Sequence, residues 1–301
     1  MKKNITILSV LLFIIYEIFK NNILIHKTIL FSYTIFINNI FPNIFPFLVL
    51  SNLLINYGFI EICNKLFNKI FKKLFKMSGN ASFVFIMSLL TGFPSNSKYA
   101  KELYLNNQLT LNETNKILLF THFSNPLFII GTISMFLNKR IAYIVLFSHY
   151  IGNIIIGLVY RNKYLDKSDT KQIKIQKQNF GTCLANSITN SINTLLLIYG
   201  TMTMFLLISS IIQNILYLSD INSAILGGIL ELTQGIKYVS LLDSNIKIKG
   251  MLMTSFLSFG GISVHMQIIS IISDTKIKYY PFLIARVIHA FISATIAYIL
   301  I

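Results

Sequence analysis

Residues 91–100 read TGFPSNSKYA, and they interrupt an apolar run, FVFIMSLL (Phe83–Leu90), that has the character of a membrane helix. Gly92, Pro94, Ser95, Asn96, Ser97 and Lys98 stand close together. Proline has no N–H to donate and clashes with the preceding turn, so no regular helix runs through Pro94. The stretch is therefore either a surface loop or a break in the backbone at membrane depth. Backbone groups freed at that depth cost several kcal/mol each when they face lipid, so a deep break must be buried in protein or line a wet cavity.

The chain as a whole favours the deep break. Its 301 residues are 54% hydrophobic and 12% charged, with a mean hydropathy of +0.67, where soluble domains carry about 25% charged residues. Several apolar stretches approach the ~20 residues needed to span ~30 Å of hydrocarbon as helix. No sustained period-two alternation is present, which excludes a β-barrel. The fold class is an all-α polytopic membrane protein. The net charge of +16 does not indicate nucleic acid, because the basic residues gather between apolar stretches, where cytoplasmic flanks are expected. Cys63 and Cys183 lie far apart, without zinc or disulfide spacing, and read as buried thiols. No metal or cofactor is expected.

Charge sets the topology. Arg161, Lys163, Lys167, Lys171, Lys174 and Lys177 outweigh Asp166 and Asp169 and place that loop in the cytoplasm. NKLFNKIFKKLFK (Asn64–Lys76) has lysines at helical spacing and reads as a helix in the cytoplasmic interface. Ile5–Phe19 reads as an uncleaved signal anchor, since Lys20, Asn21 and Asn22 follow it rather than a small-residue cleavage site. In FPNIFPF (Phe41–Phe47), Pro42 and Pro46 are expected to break or kink the next span. Threading the rest gives about seven transmembrane helices plus two re-entrant hairpins, near 80–108 and 223–245. The domains are then 1–28, an anchor and connector; 29–160, a first repeat; 161–181, a basic linker; and 182–301, a second, inverted repeat. Inverted repeats with interrupted segments in matching positions point to a secondary transporter.

Four breaks are candidate site elements. The first is Gly92, Phe93, Pro94, Ser95, Asn96 and Lys98, where the small polar residues suit the N-cap of the next half-helix and the helix end suits an anion. The second is THFSNPLFIIG (Thr121–Gly131), with Ser124 and Asn125 before Pro126 and His122 within a turn. The third is GGILELTQGIK (Gly227–Lys237), where Glu231 is an acid in apolar sequence and Gln234 follows. The fourth is SFGGISVHMQ (Ser258–Gln267), in which Gly260 and Gly261 let the backbone bend and Ser263, His265 and Gln267 follow. Arg286 and His289 are further intramembrane polar residues, and Arg286 has the length to snorkel.

FPFLVLSNLLINYG (Phe45–Gly58), TGFPSNSKYAKEL (Thr91–Leu103), FSNPLFIIGTI (Phe123–Ile133), HYIGNIIIGL (His149–Leu158), ELTQGI (Glu231–Ile236) and SFGGISVHMQ (Ser258–Gln267), in that order, resemble the sporulation integral membrane protein YlbJ family. That family lies within the wider group with the nucleoside-recognition Gate domain. The resemblance implies an architecture similar to the core of concentrative nucleoside transporters. It also implies a role in endospore formation, carrying dipicolinic acid across the outer forespore membrane. Family hairpins often read Gly-Tyr-Pro-x-Gly-x-Lys; here Phe93 replaces the tyrosine and Asn96 the second glycine, while Lys98 is kept.

The expected function is secondary transport of a small carboxylate. Helix starts at Ser95 and Asn125, with Lys98 and His265, would hold its carboxylates, and Phe93, Phe123 and Phe259 would flank its ring. Glu231 fits an anion poorly and either pairs with Lys98 or serves as a coupling group. A nucleoside-type carrier would instead rely on Glu231, Gln234 and Asn125, and a non-transporting sporulation scaffold would use the breaks only for packing. No enzyme motif or nucleotide-binding loop is visible. The expected partners are the lipid bilayer and a small anionic or nucleoside-like solute, with no nucleic acid; the residues leave the oligomeric state open.

Overall fold

The computed structural model describes residues 2–165 and 179–301. Most of the basic loop, from Asp166 to Lys177, lies outside the described residues. Everything described is helix or connection, with no strand among the described residues. Five helical stretches are long and apolar enough to cross a membrane: Asn22–Asn56, Lys139–Asn162, Phe180–Leu216, Ile246–Ile272 and Tyr279–Leu300. The protein is a polytopic integral membrane protein.

α1 (Lys2–Lys20) is a single helix, but charges near both its ends keep it out of those five candidates. Its apolar side chains, such as Leu8, Leu12 and Phe19, are exposed, whereas Glu17 is buried and accepts from Asn21. The next span runs through α2 (Asn22–Ile35), a π-turn (Phe36–Ile40) and α3 (Phe41–Asn56). The irregularity expected around Pro42 and Pro46 takes the form of this π-turn, not of a full break in the helix. The chain absorbs the prolines by widening the turn ahead of them, where Phe41 N–H bonds to Phe36 O, and both prolines sit inside a continuous helix.

α4 (Phe59–Phe75) is entered at Gly58, in the left-handed region (φ 81°), where a side chain would be strained. It buries Ile60, Cys63, Phe71 and Phe75 and exposes Ile62, Leu66 and Ile70. Its last carbonyls are covered by cations, with Arg161 on Lys73 O at 2.7 Å and Lys116 on Lys76 O at 3.4 Å. Cys63 and Cys183 are both buried thiols.

The remaining elements position the site. α5 (Ala81–Thr91) and α6 (Ser95–Leu105) form a hairpin with its tip at Gly92–Pro94. α7 (Leu111–Phe120) and α8 (Pro126–Phe136) are separated by residues 121–125. α9 (Lys139–Val159) follows. α10 (Phe180–Leu216) is, at 37 residues, about 55 Å long, so it tilts or extends beyond the hydrocarbon. α11 (Asp220–Leu230) and α12 (Leu232–Leu241) form a second hairpin with Glu231 at its tip. α13 (Ile246–Phe259) and α14 (Gly261–Ile272) are separated by Gly260, and α15 (Tyr279–Leu300) closes the bundle.

α9, α13 and α15 pack together, and α10 lies along α2 and α3. The second contact is joined by small polar side chains. Ser32 and Thr203 meet at 2.6 Å, and Asn52 donates to Ser191 at 3.3 Å. Such residues let helix backbones approach closely where lipid offers no hydrophobic drive.

Candidate functional site

The tip of the first hairpin is fastened to the break between α7 and α8. Gly92 has φ 78°, and a Cβ on it would lie 2.6 Å from Asn125 N, so only glycine fits. Phe93 N–H donates to Phe123 O at 2.7 Å. Asn125 Nδ2 donates to Leu90 O at 2.6 Å and to Asn43 O at 3.1 Å. The second hairpin tip and the second break are joined in a similar way, since a Cβ on Gly261 would lie 3.1 Å from Leu232 N and 3.4 Å from Glu231 Cα.

The half-helix starts are capped unevenly. Asn125 Oδ1 accepts from Leu127 N and Phe128 N and caps α8, as the sequence suggested. Glu231 Oε2 caps α12, accepting from Thr233 N at 2.7 Å, Gln234 N at 3.2 Å and the Thr233 hydroxyl. The expected cap by Ser95, Asn96 or Ser97 does not form. Pro94 occupies the cap position of α6 without a side-chain bond, because Ser97 turns its hydroxyl back onto Pro94 O. Gly260 occupies the cap position of α14, also without one. Ser263 therefore lies inside α14 rather than at its cap.

Behind these tips lies a buried polar network that the sequence only hinted at. Arg286 does not snorkel; it is fully buried. Its Nη1 donates to Asn153 Oδ1 at 3.0 Å and to His289 Nδ1 at 2.9 Å, and its Nη2 donates to Leu119 O near the end of α7. His289 Nε2–H donates to His149 O at 2.8 Å. His149 Nε2 accepts from Ser124 N–H at 2.9 Å, which leaves Nδ1–H to donate to Ser258 Oγ at 3.0 Å. The bonds thus settle the tautomer of His149, while His289 Nδ1 lies between Arg286 Nη1 and Ser258 O, the latter at 3.1 Å. The i,i+4 spacing of His149 and Asn153 and the i,i+3 spacing of Arg286 and His289 in apolar helices were the available signal for this network.

One cavity gathers five of the expected residues: Phe93, Ser124, Asn125, Glu231 and Gln267. Thr233 and apolar side chains such as Ile44, Phe128 and Val264 complete it. Gln267 is held by a bond from its Nε2 to Thr201 Oγ1 at 2.8 Å. Other expected residues lie elsewhere. Lys98 lines a separate, more open vestibule between α6, α10 and α14, where Nζ donates to Asn190 O at 3.3 Å and Thr194 Oγ1 at 3.2 Å. It forms no pair with Glu231. In the same vestibule Lys101 bridges to Asp274 at 2.7 Å, and this hydrogen bond holds the Asp274 carboxyl below the usual carboxylate range. Gln234 donates to Ser210. His265 is engaged on both sides, by Phe259 O at 3.1 Å and the Tyr279 hydroxyl at 2.9 Å, and does not reach the cavity. Of the three expected aromatic walls only Phe93 lines it; Phe123 packs on Phe85 and Tyr150, and Phe259 on His265.

Residues 37–205 match the model of the Gate family, described as nucleoside recognition. The chain is 28% identical to the sporulation integral membrane protein YlbJ of Bacillus subtilis (strain 168), over 87% of this chain and 74% of that protein. No solved structure matches it.

Proposed function

The chain belongs to the nucleoside-recognition Gate family, and from that premise we propose that it is a secondary carrier that moves a small planar solute across a membrane, with no enzymatic step. The observation that carries this reading is one cavity lined by residues from both hairpins and both broken helices, Phe93, Asn125, Glu231 and Gln267. Carriers commonly bind solute where discontinuous helices meet and change access by moving one bundle against another. The order hairpin, broken helix, long helix occurs at α5–α9 and again at α11–α15. That order supports two inverted repeats, residues 29–160 and 182–301, arranged as in the core of concentrative nucleoside transporters.

The solute is assigned to the small aromatic carboxylates, with dipicolinate the specific candidate and the outer forespore membrane the site of action. The name of the Bacillus relative supports the sporulation setting. The ring of Phe93 supplies a flat wall, and the start of α14, which has no side-chain cap, favours an anion. A second reading, a nucleoside-type solute, is favoured by Glu231 and the amides of Asn125 and Gln267, and by a cavity wall without Lys or Arg among the described residues.

Uptake of labelled dipicolinate and of labelled uridine into vesicles holding the purified chain separates these readings. Saturable uptake of dipicolinate supports the first, and uptake of uridine alone moves the assignment to the second. If neither enters, the carrier reading is lost and a non-transporting scaffold takes its place.

A further inference from the structure

The vestibule and the central cavity have a third pocket in line with them, and α10 runs past all three. The vestibule meets α10 at Asn190, Asn193, Thr194 and Leu197. The central cavity meets it at Ile198 and Met202. The third pocket, of about 140 Å³, is walled on one side by residues 31–39, where Ser32 bonds to Thr203 of α10. A helix rises about 1.5 Å per residue, so vestibule, cavity and pocket follow one another along a membrane-spanning helix. The cavity and the third pocket share Thr233, whose hydroxyl is bound to Glu231. The cavity and the vestibule share no lining residue among those described.

The third pocket is polar at a depth where lipid penalises polar groups. It lies between the π-turn, α8 and α12, and α8 packs against both of the others. Asn38, in the π-turn, stands at the middle of the span Asn22–Asn56 and is exposed beside Thr34. An amide facing hydrocarbon there is costly. Thr132 of α8 is buried, and its hydroxyl has no partner among the described residues. Helical threonines commonly return the hydroxyl to the carbonyl four residues back, as Thr28, Thr194 and Thr203 do; Thr132 does not. Lys237, one turn beyond Thr233, has its Nζ 4.1 Å from the ring of Phe31, which lines the pocket, and it pairs with no carboxylate among the described residues. Water accounts for an amide, a hydroxyl and an ammonium left in this condition, and the pocket has room for several molecules of it.

We propose that this pocket is a water-filled passage linking the central cavity to the membrane face opposite the Lys98 vestibule, with Thr233 as the partition between passage and cavity. Thr34, Asn38 and Thr132 line it with neutral polar groups, which exchange hydrogen bonds with water or with a passing solute and hold neither by charge. Its use by a solute rests on the carrier reading; its hydration does not. A second copy of the chain seated on Asn38 would satisfy the same amide, and the test separates the two.

Cysteine reactivity is measured with a permanently charged methanethiosulfonate on the purified chain in nanodiscs, where both membrane faces meet water. Cys63 and Cys183 are buried, so the parent gives the background. Ile37→Cys is the control, since Ile37 is exposed next to Asn38 but lines none of the three cavities. Asn38→Cys and Thr132→Cys should each react about tenfold or more faster than Ile37→Cys, because only a hydrated thiol yields the reactive thiolate. In vesicles, labelling either variant should remove most of its uptake of dipicolinate or uridine, whichever the parent carries. Failure of either variant to outpace Ile37→Cys, or a disulfide-linked dimer of Asn38→Cys in place of labelling, overturns the passage. Uptake that survives complete labelling of both variants overturns it as a solute route and keeps the carrier. Rapid labelling in a chain that carries neither solute keeps the wet pocket and removes the carrier.

Discussion

Arg286 donates to Asn153 across the α15–α9 contact at 3.0 Å, at full burial. No carboxylate pairs with this guanidinium among the described residues. Its negative counterpart is the end of α7, whose Leu119 carbonyl accepts from Nη2, and its face lies 5.2 Å from the Phe282 ring. A helix C-terminus carries about half a negative charge on its free carbonyls. The break between α7 and α8 therefore serves as the counter-ion that lets an arginine sit at the centre of the bundle. The same arginine orders the break, because it links the carbonyl of Leu119 to the helices α9 and α15.

Arg286→Met should destabilise the protein by ~3 kcal/mol or more, since the side chains of Asn153 and His289 and the carbonyl of Leu119 each lose a donor while remaining buried. Thermal unfolding in detergent measures this. An unchanged melting temperature would show that the network contributes little.

Gly92→Ala should abolish transport in a protein that still inserts. The new Cβ meets Asn125 N at 2.6 Å and holds a left-handed φ, at a cost of ~1 kcal/mol or more. The strain falls on the joint between the first hairpin and the break, which forms one wall of the cavity. Normal uptake by this variant would separate the hairpin tip from solute passage.

Glu231 has two separable roles, and two substitutions divide them. Glu231→Ala removes the cap of α12 and should cost ~1 kcal/mol. Glu231→Gln keeps an accepting oxygen and should unfold within a few degrees of the parent, so a loss of uptake in Glu231→Gln reports the charge alone. Equal stability of the two variants would contradict the capping role.

Lys98→Ala should change solute affinity by less than about threefold, because Lys98 faces the vestibule rather than the cavity and spends its donors on Asn190 O and Thr194 Oγ1. Uptake rate, read separately from affinity, is the place for any effect. A fall of more than tenfold in equilibrium binding would put Lys98 on the solute.

The Lys101–Asp274 bridge ties α6 to the end of α14, with Lys101 also on Ile271 O at 2.9 Å. The hydrogen bond from Lys101 lowers the Asp274 carboxyl below its unfolded value, which is about 3.9. Its contribution is therefore fully present above that pH and is lost as the pH falls through the lower folded value. Comparing parent with Asp274→Asn, the difference in melting temperature should be constant from about pH 5 to pH 8 and shrink toward pH 3. A difference that grows on acidification would contradict the bridge.

Much of the architecture was legible in the order of residues. Hydropathy is a local property, so the apolar stretches announced a membrane protein, and the breakers Gly92–Pro94, Pro126 and Gly260–Gly261 marked interruptions that the fold keeps. Asn125 announced its own cap because asparagine before proline at a helix start satisfies donors two and three residues away. Pro42 and Pro46 marked an irregular span, and a single wide turn ahead of them absorbed both without a full break.

What the sequence by itself determined is where the backbone must leave the helix, since that depends on a residue's own lack of a donor or of a side chain. What only the tertiary structure decided is which freed groups found partners. Lys98 was drawn to the carbonyl of Asn190, on a helix about ninety residues away, and His265 to Tyr279, while the side chains of His122 and Asn96 were left with none among the described residues. Partnership among buried polar groups depends on distance in space, and the packing of α6, α10 and α14 sets those distances.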